Sequence, residues 1–421
     1  MSDKTFDQNV VGSQFNLSLT INNVSVSPVN VNSSVLREWI FDQIVTYECT
    51  FMDTGTFVEL SPLYDECPVQ IEFSKNGDLD KVKMDMVINA WEIERVDADD
   101  GSLYIIHFIA FQKTTDYFYP IRFRPFSNQG SSDALQFVCQ ESEIDFVLED
   151  SSNDNQTWIQ SNVCNYAFTK HLMARAFIRP EDLPLFYFNR HNQAVYSSLS
   201  YKTNSKPKFL AINNDHAFMD NGNDTTIAKI KEQIGKDSET LFYRTGITYK
   251  NLSPILNKMN GYGIDFTYFD HTNFFDYSLN FPYAPLSKFE NKNKNNVGKY
   301  TNGITYNSLS KNVHENYLLA KSQNLYLKQS FFGNYLQITI NPNMNINIGD
   351  KIDVLIYDNL GRLLNGTPNV DAVNSGEYLV GGISHDIKKD GLYSMILTLF
   401  RNGTNQSNLT NILFEGNLVN P

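Results

Sequence analysis

Residues 346–358 read INIGDKIDVLIYD, and residues 376–403 read GEYLVGGISHDIKKDGLYSMILTLFRNG. The pattern is a strand, a connection, a second strand, a tight turn at Asp390-Gly391 and a third strand. No residue in it is an obvious nucleophile, metal ligand or phosphate cradle. The reading of this stretch decides the fold class, because the blocks at both ends of the chain share its character.

Working outward, residues 300–403 are mostly strands and turns, punctuated by Asn302-Gly303 and Asn365-Gly366. The first 128 residues read alike. Phe15, Leu17, Leu19 and Ile21 alternate on one face of QFNLSLTINNVSV. QIVTYECTFM at 43–52 and PVQIEF at 68–73 are further strands. VKMDMVINAWEIERV at 82–96 runs into Asp99-Asp100-Gly101, and SLYIIHFIAFQ returns at 102–112, so the two form a hairpin. The chain has 30 Phe and 23 Tyr. Aromatic and β-branched residues suit half-buried pleated surfaces.

Between these blocks the character changes. QGSSD at 129–133 reads as a flexible joint. Ile159, Val163, Tyr166, Met173 and Phe177 recur at three- and four-residue steps, which predicts a helix over 157–178 closed by Pro180. LPLFYFNR and AVYSSLSY then read as two strands. Helices are expected at 224–235 and 252–259, an aromatic strand at 263–270 and a polar loop at 286–299. The expected organisation is an N-terminal β-barrel over 1–128, a mixed α/β domain over 129–205, an α+β insertion over 206–299, a second β-barrel over 300–403 and a tail over 404–421.

Charge and cysteine usage narrow the function. Net charge is −13, from 34 basic and 47 acidic residues. A protein that grips nucleic acid shows a basic patch, and none is evident. Cys49, Cys67, Cys139 and Cys164 form no C-x-x-C pair and read as free thiols of a reducing compartment. Sequons such as Asn16, Asn223 and Asn402 are expected by chance in an Asn-rich chain. The N-terminus has no apolar signal core, and no apolar run is long enough to span a membrane.

Reactive constellations are missing from the text. The seven His are scattered, without H-E-x-x-H or H-x-H, and His171 and His385 read as ordinary core or surface residues. Asp97-x-Asp99-Asp100-Gly101 has its Gly one place early for a calcium loop and reads as a turn. No phosphate-binding Gly loop or nucleophile elbow occurs. Glu141 with Glu143, or Asp145 with Glu149, are candidate glycosidase carboxylates only in composition, and Trp158 reads as a packing anchor. No catalytic, cofactor-binding or metal residue is assigned, and no cofactor is expected.

Three quoted segments together resemble the central hub protein of contractile phage tails and related injection machines. INIGDKI, GEYLVGGISHDI and YSMILTLFRNG resemble the closing strands of the hub's second barrel. QTWIQSNVCNYAFTKHLMARAFIRP followed by LPLFYFNRHNQAVYSSLSY is similar to its middle domain. DTGTFVELSPL at 53–63 followed by VQIEF resembles a loop and strand of its first barrel. The order matches over about three quarters of the chain; residues 206–300 match nothing in the pattern.

The resemblance implies a mainly β fold with α+β elements, in which two tail-hub-type barrels flank a mixed α/β domain. It implies a homotrimer whose pseudo-hexameric ring joins a six-fold tail tube, or its initiator, to a three-fold spike carried by a separate polypeptide. Other baseplate proteins would be partners, DNA would pass without specific binding, and the chain would reside in the virion tail baseplate after assembly in the host cytoplasm. Two other readings remain open from sequence: a receptor- or carbohydrate-binding β-protein of a fibre or peripheral baseplate, and a hydrolase with an unrecognised site.

Overall fold

The computed structural model describes residues 15–75, 81–98, 101–114, 116–213, 239–243, 247–251, 263–270, 275–281, 301–306, 314, 316–332, 334–358, 369–371, 374–389 and 393–401. The fold is mainly β. Its first block comprises β1 (Phe15–Ile21), β2 (Val24–Val26), β3 (Val31–Trp39), β4 (Thr46–Asp53), β5 (Pro68–Lys75), β6 (Val82–Ala98) and β7 (Gly101–Gln112). They pair antiparallel in the order β3-β4-β7-β6-β5-β1-β2. Period-two alternation drives this: Val69, Ile71 and Phe73 of β5 and Val82, Met84, Met86 and Ile88 of β6 are buried, while Gln70, Lys83 and Asp85 face outward. The expected hairpin is present, with Asp97 opposite Ser102 and Ala98 opposite Gly101. Among the described residues this sheet does not close on itself.

The middle block holds β8 (Arg122–Gln129), α1 (Ser131–Glu141), β9 (Asp145–Leu148), β10 (Gln156–Val163), α2 (Asn165–Met173), β11 (Pro184–Phe188), β12 (Gln193–Ser198) and α3 (Leu199–Asn204). β8 and β10 form a two-stranded ribbon; β11, β12 and β9 form a second small sheet. Two expectations are corrected here. The joint at 129–133 is the start of α1: the Ser131 amide donates to Asp154 Oδ1 at 2.7 Å and the Ser132 amide to Ser152 Oγ at 3.2 Å. The helix expected over 157–178 is a strand followed by a shorter helix. Gln156, Trp158 and Gln160 are buried and Ile159 is 56% exposed, so the period there is two. Asn162, at φ 54° in the left-handed region that Asn tolerates, lies at a register shift just before the strand's last residue. The buried face of α2 is Asn165, Phe168, Thr169 and Leu172, at helical spacing. Val163, Tyr166 and Met173 are only partly buried, and Phe177 is buried beyond the helix end.

The last block contains β13 (Phe209–Asn213), β14 (Glu239–Tyr243), β15 (Thr248–Asn251), β16 (Gly263–Asp270), β17 (Phe275–Phe281), β18 (Thr301–Tyr306), α4 (Tyr317–Phe331), β19 (Asn334–Ile340), β20 (Lys351–Leu355), β21 (Tyr357–Asp358), β22 (Asn369–Val370), β23 (Gly376–Lys388) and β24 (Tyr393–Phe400). β13, β14, β19, β24, β23 and β20 pair in a ring, giving a closed six-stranded barrel. β13 and β14 come from within 206–299, so that stretch supplies barrel staves rather than a wholly separate insertion. The strand expected at 263–270 is β16, which pairs with β17 and β18. The helices expected at 224–235 and 252–259, the loop at 286–299 and the tail at 404–421 lie outside the described residues. α4 is a helix where strands and turns were expected. Tyr317, Ala320, Asn324, Leu327 and Phe331 are buried at three- and four-residue steps, a period obscured by the Lys, Ser, Asn and Gln between them.

Two features shape the barrel wall. Gly349, at φ 84°, makes the turn into β20, where its amide donates to Val380 O at 2.8 Å. Gly381 and Gly382 sit at a register shift in β23; a Cβ on Gly381 would overlap the Phe400 ring, and one on Gly382 the Trp39 ring.

Candidate structural junction

β23 is shared. Residues 376–379 pair with β20, and residues 382–388 pair with β3 of the first block, from Gly382 opposite Trp39 to Lys388 opposite Ser33. The N-terminal sheet and the C-terminal barrel are thus one hydrogen-bonded sheet. Backbone pairing alone could slip by two residues without inverting the faces. A buried polar cluster pins it.

His385 of β23 and Glu38 of β3 are both fully buried, with His385 Nε2 at 3.5 Å from Glu38 Oε1. Buried polar groups need partners. The Tyr393 hydroxyl lies 2.7 Å from His385 Nδ1. Arg190, in the turn between β11 and β12, is 1% exposed and donates from its amide to Glu38 Oε2 at 2.8 Å and from Nη1 to Oε1 at 2.9 Å. Its Nη2 donates to the carbonyls of Met344 at 2.6 Å and Ile346 at 2.9 Å. One guanidinium therefore ties the middle block to the first sheet and to the loop leading into the barrel. Burial would raise the Glu38 carboxyl, but the Arg190 charge and the His385 contact outweigh it and hold the carboxyl at about 2. Burial lowers the His385 imidazole below its ordinary range, against the pull of Glu38.

Neutral contacts extend the junction. Gln43, after β3, accepts at Oε1 from the Tyr117 hydroxyl at 3.0 Å and from the Thr169 hydroxyl of α2 at 2.6 Å. Gln323 of α4 donates from Nε2 to Arg179 O at 3.0 Å and Asp182 O at 2.8 Å, and accepts from the Glu181 amide at 3.1 Å. Asn324 donates to Ala176 O at 2.8 Å. These amides satisfy backbone groups of the 176–182 loop, which has no strand partner among the described residues.

Two of the carboxylates weighed as chemical candidates are ion-paired. Glu141 is clamped by Arg122 at 2.7 Å and Arg124 at 2.8 Å. Partial burial would raise its carboxyl, and the hydrogen bond and charge of Arg124 bring it below its ordinary value, the reverse of what a general acid requires. Glu149 pairs with Lys202 at 2.6 Å. Trp158 packs in the core and donates from Nε1 to Gln129 O at 2.9 Å. Burial pushes the Cys49 and Cys139 thiols up to about 12. His171 is on the surface at the end of α2. Among the described residues no group of His, Cys, Asp and Glu could hold a metal ion, and no helix is long and apolar enough to cross a membrane. Glu38 and Arg190 carry the junction, and neither was legible in advance: they lie 152 residues apart.

No protein-family model and no curated protein sequence matches the chain. Solved structures do. The chain has the fold of bacteriophage-type tail proteins. A tail protein from Neisseria meningitidis MC58 aligns with a TM-score of 0.53 at 10% identity, over 93% of this chain and 98% of that one. The 43 kDa tail protein of prophage MuSo2 from Shewanella oneidensis aligns with a TM-score of 0.57 at 11% identity, over 92% of this chain and 98% of that one. At such identities the likeness is one of fold.

Proposed function

We propose that the chain is a structural virion protein, the central hub of a phage tail baseplate. Three copies form a pseudo-hexameric ring that joins a six-fold tube to a three-fold spike carried by a separate protein. The observation that carries this reading is the junction itself. Two β-rich bodies in one chain are fused through β3 and β23 and locked by Glu38, Arg190 and His385, so each copy offers two β units at a fixed angle. Three such copies give six units, and a closed cyclic ring terminates its own growth. The full-length fold likeness to two tail proteins supports the same role. The net charge of −13 suits a conduit that must not bind DNA, since an acidic bore repels phosphate.

The same reading makes the chain non-enzymatic. A hydrolase needs a nucleophile or carboxylate beside an oriented base, and the weighed carboxylates Glu141 and Glu149 are held by basic side chains instead. Images of the concentrated purified chain should show three-fold rings. Particles that remain monomeric, with or without tube and spike proteins, overturn the ring; peptidoglycan cleavage lost on Glu141→Gln overturns the non-enzymatic reading.

A further inference from the structure

Two surface features are left unused by the junction, and they are complementary. The first is the outer half of the β6–β7 hairpin. β5 pairs with β6 only as far as Val87. Beyond Ile88 nearly every residue of β6 is exposed, and its outer edge has no strand partner among the described residues. Ten residues of strand at about 3.3 Å each project ~33 Å. Glu92, Glu94 and Val96 share one face by the period of two, and Val96 is 36% exposed. Arg95 is the single cation between Glu92 and Val96. An acidic, open-edged hairpin is costly to leave free unless it has a partner or its charge protects it.

The second feature is a cleft of about 240 Å³ between β10, α2 and the first turn of α4. Trp158, Ile159, Ser161, His171, Arg175 and Tyr317 line it. It is smaller than the ~300–1,000 Å³ of small-molecule pockets, but it admits side chains. Its rim is basic in a chain that is acidic. Lys321 of α4 is close enough to Arg175 for the two cations to interact. The head of Arg175 rests over the Tyr317 ring at 6.0 Å. The cleft continues onto the exposed apolar face of the β8–β10 ribbon, where Phe123 is 72% and Ile159 56% exposed. Phe123 is opposite Ser161 and Pro125 opposite Ile159, so the three apolar residues share that face.

We propose that the hairpin of one copy docks in this cleft on the next copy, with Val96 against Ile159 and Glu92 and Glu94 facing Arg175. The occupant is a second copy because the sign, the apolar content and the reach of the hairpin match the cleft. Such a contact is heterologous, and it closes into a ring when successive copies are rotated by one third of a turn. The docking rests on the ring reading given above and names the surfaces that would build the ring.

The test uses exposed residues of the full chain. Arg175→Glu alone, or Glu92→Lys with Glu94→Lys, should raise the half-assembly concentration at least tenfold in sedimentation. All three substitutions in one chain should restore assembly, because the charges are exchanged. Separately, Val96→Cys with Ser161→Cys should give disulfide-linked multimers under mild oxidation, and neither Cys alone should. Rings that form normally in the charge variants overturn the docking and leave the ring standing, with the cleft free for another partner. A wild-type chain that stays monomeric overturns the ring. If the Cys pair still cross-links in that case, the docking contact survives without the ring; if it does not, both fall.

Discussion

Arg190→Met tests whether the buried cluster holds the two β bodies together. The substitution keeps the bulk of the side chain and removes the charge. Glu38 is then left fully buried without a cation, its remaining partners the backbone amide of residue 190 at 2.8 Å and an imidazole 3.5 Å away. Holding a carboxyl at about 2 instead of its ordinary 4.5 corresponds to about 3 kcal/mol at neutral pH. Breaking a buried pair from one side costs about 3–5 kcal/mol in other proteins. The two routes agree, so urea unfolding at pH 7 should show a loss of about 3–5 kcal/mol. The pH dependence carries a second signature. A depressed carboxyl contributes stability above its unfolded pKa and loses it as pH falls toward about 2. A depressed imidazole likewise loses stability as pH falls through 6.5. The wild type should therefore weaken steadily from about pH 6.5 downward. Without Arg190 the fold prefers to take up a proton at this cluster, so the deficit of the variant should shrink between pH 7 and pH 5. Glu38→Gln combined with Arg190→Met should cost less than the sum of the two changes. A loss under about 1 kcal/mol for Arg190→Met, or a deficit that grows on acidification, would refute the reasoning.

Gly381→Ala should destabilise by about 1–3 kcal/mol, because the methyl meets the Phe400 ring in a packed wall; a variant that melts with the wild type contradicts the close approach. Gln323→Ala should cost about 1–3 kcal/mol by stranding the Arg179 and Asp182 carbonyls and the Glu181 amide, and protease cleavage within 176–182 should rise with it. Leu172→Asp, which puts a charge on the buried face of α2, should prevent folding or cost several kcal/mol, whereas Ile159→Asp on the exposed face of β10 should leave the melting temperature of the dilute, unassembled chain unchanged; the reverse order would restore the helical reading of 157–178.

The parts legible in sequence were those whose information is local. Alternation in 15–21 and 68–73 and in the two arms of the 82–112 hairpin declares each strand within a few residues. The β10–α2 boundary was misread because Ile159, Val163 and Tyr166 fall by accident at helical steps. The actual inward residues, Gln156, Trp158 and Gln160, include two glutamines that a hydrophobic pattern ignores. α4 was missed for the same reason, since Gln323 and Asn324 are buried through hydrogen bonds rather than apolar contact. The junction was out of reach altogether: His385 stood in a quoted strand, but its partners Glu38 and Arg190 come from other blocks, and no spacing rule joins them.

The pairing of β3 with β23 also sets the order of events as the chain is made. β3 is synthesised within the first forty residues, yet its second neighbour arrives only with residues 382–388. At ~5–20 residues per second, that interval is roughly 20–70 s. Throughout it the nascent first sheet presents an uncovered edge, and the barrel cannot close, because β23 is also one of its staves. A ribosome stalled before residue 376 would therefore release a chain with two open sheet edges, the kind of surface that pairs with its neighbours. Translation speed across the middle of the message, and whatever shields the growing chain, should influence the yield of folded protein more than any single core contact does.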